Sequence, residues 1–246
     1  MCITGDRIAR GRVFVRLDDM GIDAMISQSM SLSHALPHIS HVLHIPVSAM
    51  WHACVDQDPH GGYHADYDDG FPSGSMWRVE GQFLYALIRA LKPSSVLELG
   101  TWHGCSATHI LQGLNDNELG GLTCIDNRAY GDIVIGDMIP KDLKDSPFYF
   151  IESISIEKFI PHAIKEGWKY DLIFEDAMHE TPQVAFVWSH MERLLNPGGV
   201  MISHDAMHRV AGFAVREGIA QAGYRSENVL IAPADCGFAL WRKRGE

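Results

Sequence analysis

Ser95-Val96-Leu97-Glu98-Leu99-Gly100-Thr101-Trp102-His103-Gly104-Cys105-Ser106 decides the fold of this 246-residue chain. Ser95 to Leu99 is a short apolar run stopped by glycine, the pattern of a strand buried on both faces. The segment that follows it, Ser106 to Leu114, has helical spacing. Strand, glycine turn and helix in that order form the first half of a crossover unit in a parallel sheet. Gly100 permits a tight turn and close approach of a ligand to the backbone, and Gly104 opens a helix whose free N–H groups point at that ligand. The turn is not G-x-G-x-x-G, because Trp102 stands where the second glycine belongs. An indole there crowds a pyrophosphate, which disfavours NAD.

Outward from this stretch the alternation continues. Val79 to Leu91 places Phe83, Leu84, Leu87, Ile88 and Leu91 at helical spacing and stops before Pro93. Strands are expected at Leu122–Ile125, Phe148–Ile151, Tyr170–Phe174 and Val200–Ser203, with a closing pair at Val229–Ala232 and Phe238–Trp241. Helices are expected at Ile156–Gly167, Gln183–Leu195 and Val210–Ala222, the second closed by Asn196-Pro197-Gly198-Gly199. The expected fold is therefore α/β, a mostly parallel, seven-stranded Rossmann-like sheet with helices on both faces, spanning residues 76–246. Ligands on such sheets bind beyond the carboxyl ends of the strands, so the residues just after each strand matter most.

Residues 1–75 differ in character. They hold seven of the 14 histidines and a Gly-, Asp- and Pro-rich stretch from Asp56 to Gly74. They are expected to form a cap, a lid or an oligomer contact. His34, His38 and His41 fall at i, i+4 and i+7, the spacing of one helix face, but Pro37 permits a helix only if it starts there, and a solvated or interface face accounts for them better than a metal. Asp56–Asp69, with His60 and His64, reads as a surface loop or a lid.

Composition narrows the function. Twenty Lys and Arg against 31 Asp and Glu give a net charge of −11, which argues against nucleic acid and anionic membranes as partners and for a small-molecule substrate. No apolar run approaches the length of a membrane span, and the N-terminus reads as lacking a signal peptide. Five scattered cysteines with no C-x-x-C pair fit a reducing cytoplasm rather than a disulfide framework or zinc knuckle. Cys105 lies beside the glycine turn without an evident base.

The segment Leu97–Ala107 resembles the first motif of the class I S-adenosylmethionine (SAM)-dependent methyltransferases, in particular the catechol-type and sugar-type O-methyltransferases, whose pattern is acidic-x-Gly-x-x-x-Gly-x-Ser. The preceding Glu80-Gly81-Gln82-Phe83-Leu84 is also similar to theirs, and the resemblance runs over roughly residues 78–241. It implies that Glu98 and Gly100 line the methionine end of the cofactor, that Ser106 touches its carboxylate, that Asp126 holds the ribose and that Ser153 flanks the adenine. Thr101, Trp102, Gly104, Asn127 and Asp176 are expected to complete that wall. SAM, lacking a phosphate, tolerates Trp102.

At the other end, Asp176-Ala177-Met178-His179 and His204-Asp205 follow the fourth and fifth strands. Adjacent strand ends bring Asp176 and Asp205 together, a plausible hard-cation site with magnesium first, and the histidines widen the choice toward manganese, iron or zinc. In the metal-dependent members of the resembled family, aspartates at these positions ligate a divalent metal that holds the acceptor hydroxyls. This chain departs from the pattern twice. Ala206 replaces an asparagine ligand, leaving His179 or His204 to substitute, and His179 stands where a catalytic lysine is found. His179, with His204 second, is expected to be the general base. The implied activity is O-methylation of a small polyhydroxylated or phenolic acceptor. Two rivals remain: a metal-dependent hydroxylase or hydrolase using the same four residues, and a cofactor-binding module without turnover.

Overall fold

The computed structural model describes residues 75–127, 134–145, 149–224, 230–232 and 236–245. The expectations placed on residues 1–74, including the histidine face and the Asp56–Asp69 loop, lie outside the described residues. In chain order the elements are α1 (Arg78–Leu91), β1 (Ser95–Leu99), α2 (Cys105–Asn117), β2 (Gly121–Asp126), α3 (Lys141–Lys144), β3 (Tyr149–Ser153), α4 (Ile156–Lys165), β4 (Tyr170–Glu175), α5 (Thr181–Leu194), β5 (Leu195–Ser203), α6 (Ala211–Gln221), β6 (Leu230–Ala232) and β7 (Phe238–Arg242).

The seven strands form one sheet in the order β3-β2-β1-β4-β5-β7-β6. Strands β1 to β5 pair in parallel, and β7 runs antiparallel between β5 and β6. The chain winds to one side through β2 and β3, then returns to lay β4 against β1, so the switch in direction falls between β1 and β4.

Alternation along the strands divides the core between two faces. Val96, Leu122, Cys124, Leu172, Phe174, Val200, Ile202, Phe238 and Leu240 point to one side and pack under α1 and α2. Leu97, Leu99, Ile125, Ile173, Met201, Ala239 and Trp241 point to the other, under α4, α5 and α6. Burial on both sides makes β1 read as a short apolar run interrupted by Glu98. Helices α1 and α2 touch closely at Gly81, where a Cβ would stand 2.1 Å from the His109 ring. That close approach fixes how far the start of α1 reaches over the sheet.

Two local expectations change. Strand β5 begins at Leu195, not Val200, because Leu195 pairs with Tyr170 before a register shift resumes pairing at Leu172–Val200. The Asn196-Pro197-Gly198-Gly199 sequence is thus an irregular strand segment instead of a free turn. Helix α3, a single turn, was not anticipated between β2 and β3.

Candidate active site

The hydrogen-bond ladder of the sheet runs past the strand ends and lines up the residues that follow them. Gly100 N–H donates to the Ile125 carbonyl (2.8 Å), Asp176 N–H to Leu99 (2.8 Å) and His204 N–H to Glu175 (2.9 Å). A cavity of about 440 Å³ opens along this row, within the range of small-molecule sites. Of the residues singled out in the sequence, Gly100, Thr101, Trp102, Gly104, Ser106, Asp126, Asn127, Asp176 and His179 line it. Ser75, Met76, His103, Cys105, Ile125, Ile156, Ala177, Met178 and Gln183 line it too.

One half of the cavity is built from backbone. Gly100 has φ +91°, and a Cβ there would press within 2.3 Å of the Asp176 carbonyl oxygen, so only glycine lets β1 and β4 end side by side. Trp102, at φ 45°, is left-handed without being glycine, a conformation that surrounding contacts must hold. Asp126 supplies them: its Oδ2 accepts the N–H groups of Thr101 (3.0 Å) and Trp102 (2.7 Å), and its Oδ1 that of Asn127 (2.7 Å). His103 Nδ1 sits 2.7 Å from Asp137 Oδ1, which pins the outer side of the same loop.

Glu98 stands behind this wall, fully buried and not among the lining residues. Its carboxylate accepts Ser106 Oγ–H (2.5 Å), Thr101 Oγ1–H (2.8 Å) and the Cys124 thiol (3.2 Å). Burial raises its pKa to about 7 against the pull of those donors. Ser153 pairs with Asp126 at the end of β3; it is exposed and does not line the cavity.

The other half is built from charge. Asp176, His179, His204 and Asp205 each offer a ligand atom, and the four atoms lie within 4.8 Å of one another. Asp176 Oδ1 meets His179 Nε2 at 3.0 Å and His204 Nδ1 at 3.1 Å. Asp205 Oδ2 stands 3.4 Å from His179 Nδ1, and its Oδ1 3.5 Å from His204 Nδ1. His179 and Asp205 both have left-handed backbones, at φ 50° and 58°, so two more uncommon conformations gather at the same rim. Burial disfavours both imidazolium forms, but the carboxylates outweigh it. The His179 pKa rises to about 9, held by Asp176 and Asp205, and that of His204 rises well above its ordinary value, held by Asp176 and Glu80. Burial would raise the Asp176 pKa; His204 and His179 instead hold its carboxyl well below the usual range.

Two features escaped the sequence reading. Glu80, from α1, is completely buried beside His204. It falls on the apolar stripe of α1, three and four residues before Phe83 and Leu84, and a carboxylate on a buried stripe is the signal that could have found it. The His103–Asp137 pair joins segments 34 residues apart, and local pattern gives no sign of it.

A family profile described as a methyltransferase domain matches residues 97–206, the stretch from β1 to just past β5. Over that stretch the chain is similar to methyltransferase domains, and its fold is the Rossmann-like methyltransferase fold. Solved structures of the same fold include the O-methyltransferase from Bacillus cereus in complex with S-adenosylhomocysteine (SAH), at 16% identity over 85% of this chain and 96% of that one, with TM-score 0.56. The SAM complex of TomG from Streptomyces achromogenes, an O-methyltransferase involved in tomaymycin synthesis, is 16% identical over 88% of this chain and all of that one, with TM-score 0.55. SAH-bound methyltransferase from Podospora anserina is 15% identical over 89% and 99%, with TM-score 0.54. No curated protein sequence matches the chain significantly. Among the described residues no helix is long and apolar enough to cross a membrane.

Proposed function

We propose that this chain is a methyltransferase that binds SAM along the Gly100–Ser106 turn and transfers its methyl group to an oxygen of a small phenolic or polyhydroxylated acceptor, with a divalent cation at the Asp176 cluster. The observation that carries the reading is that one cavity is lined both by the Gly100–Ser106 turn and by Asp176 and His179, the cavity-facing members of a four-residue charged cluster at adjacent strand ends.

On the cofactor side, Asp126 keeps capacity for one more donor. Three backbone N–H groups use three of its roughly four lone-pair sites. The remaining site on Oδ1 takes one ribose hydroxyl. The N–H groups of the first turn of α2 suit the methionine carboxylate, with Ser106 in the same turn.

On the acceptor side, the donor set fits a cation. Two carboxylates hold two imidazoles with raised pKa values, and those retained protons mark the positive charge the cluster demands. An imidazole nitrogen beside two carboxylate oxygens suits manganese, iron or zinc better than magnesium, the first choice from sequence alone. Such an ion supplies Lewis-acid polarisation of an acceptor hydroxyl and lowers its pKa. Asp176, Asp205 and His204 are the residues placed to hold it. His179 lines the cavity whereas His204 does not, so His179 is the base that reaches the acceptor. Its affinity for a proton falls once the two aspartates are shared with a second positive charge.

The test is transfer of labelled methyl from SAM to a catechol and to a polyol. Manganese-loaded protein should methylate one of them, chelator should abolish the transfer, and His179→Ala should lose most of it. Absence of transfer to either acceptor contradicts the activity. Transfer that survives chelation contradicts the metal, and full activity in His179→Ala contradicts the base.

A further inference from the structure

Nothing so far explains why a carboxylate lies completely buried at the start of α1. Glu80 Oε1 accepts the backbone N–H groups of Cys236 (2.6 Å) and Gly237 (3.1 Å), just before β7. Its Oε2 accepts Trp77 N–H at 3.3 Å and stands 3.1 Å from His204 Nε2. The Glu80–His204 approach is close but bent, so the buried Nε2 makes no well-aligned hydrogen bond. Oε2 is the carboxylate oxygen at hand for it. The opposite ring nitrogen, Nδ1, faces Asp176 and Asp205.

The backbone makes this arrangement stiff. Ala206 N–H donates to the Gly237 carbonyl (3.1 Å) and Met207 N–H to Cys236 (2.7 Å). Glu80 therefore grips the loop that is itself stitched to the residues after Asp205. Gly81, next in sequence, lets α1 press on His109 and fixes where the carboxylate arrives.

We propose that Glu80 is the positioning residue of His204: it holds the ring by its Nε2 proton, so that the Nδ1 lone pair is presented to a cation between Asp176 and Asp205. A metal-bound imidazole characteristically donates its other N–H to a carboxylate, which fixes tautomer and orientation. This inference rests on the metal-site reading above.

Glu80→Gln separates this role from a structural one. Glutamine keeps an oxygen for Cys236 and Gly237 but turns an amide NH₂ toward His204. That donor favours a lone pair on Nε2 and sends the proton to Nδ1, which then cannot ligate. The expected result is Mn²⁺ binding roughly 10–100-fold weaker than wild type, read by the electron paramagnetic resonance of free Mn²⁺. In a His204→Gln background the same substitution should cost nothing further, because the residue it acts through is gone. Equal losses in both backgrounds would mean that Glu80 only braces the 236–237 loop, and would overturn the proposal.

A second measurement needs no variant. In Zn²⁺-loaded wild-type protein, ¹H–¹⁵N ring spectra should show His204 bound through Nδ1 with a proton on Nε2; ligation through Nε2, or a free His204 ring, overturns the proposal. If wild-type protein binds neither Mn²⁺ nor Zn²⁺, the metal-site reading fails and this proposal falls with it. If wild type binds and Glu80→Gln binds equally well, only the role of Glu80 fails.

Discussion

The two halves of the cavity are built by different means. From Gly100 to Ser106 the wall is a glycine turn held by backbone N–H groups on one aspartate, with a single buried carboxylate behind it. Around Asp176 the wall is two charged side chains, Asp176 and His179, backed by His204 and Asp205. The backbone half owes its shape to φ angles and sterics, so it should tolerate chelation but not a methyl group, and its response to pH should come from Glu98 alone. The charged half should tolerate small steric changes but respond to pH, metal and any lost charge.

Gly100→Ala strikes both halves, because its Cβ would enter the Asp176 carbonyl. Left-handed strain and overpacking together should cost about 2–5 kcal/mol of stability, read as a lowered denaturant midpoint with SAH binding lost. Native-like stability in this variant would deny that the halves meet at this glycine.

Asp205→Asn should separate them. Asparagine tolerates the left-handed backbone there but removes a charge from the cluster. Methyl transfer should fall by roughly 10²–10³-fold, while calorimetry shows SAH affinity unchanged. Asp126→Ala does the reverse: losing hydrogen bonds to a charged acceptor costs about 1.5–3 kcal/mol each, so SAH should bind at least about tenfold more weakly while Mn²⁺ affinity stays put. An equal effect of either variant on both ligands would dissolve the distinction.

The smallest expected effect is on stability against pH, and it falls in two windows. Glu98 has a folded pKa of about 7 against 4.5 ordinarily. The fold favours its neutral form, so that contribution is full below pH 4.5 and lost as pH rises through 7. His179 has a folded pKa of about 9 against 6.5, so its contribution is full below pH 6.5 and lost as pH rises through 9. Thermal melts of chelated protein should therefore decline across both ranges. Glu98→Gln should flatten the lower one and His179→Ala the upper one; a single variant flattening both would show that the halves are coupled.

Sequence exposed the two halves unequally for the same physical reason. Gly100, Asp126, Asp176 and Asp205 were legible because a parallel sheet places the residues after its strands in a row, and strand ends can be read locally. Glu98 was expected in the cavity wall but turned behind it, since strand alternation sends its side chain toward Ser106 and Cys124. Glu80 and the His103–Asp137 pair depend on contacts between distant segments. The start of β5 was hidden because Asn-Pro-Gly-Gly has the composition of a turn and only pairing with Tyr170 makes it strand.

Calorimetric titration of chelator-treated wild-type protein with SAH tests the central claim most directly. A backbone-built nucleoside half should bind one SAH per chain, with the same affinity before and after Mn²⁺ is restored. No heat at millimolar SAH, or binding that appears only with the metal, would contradict it.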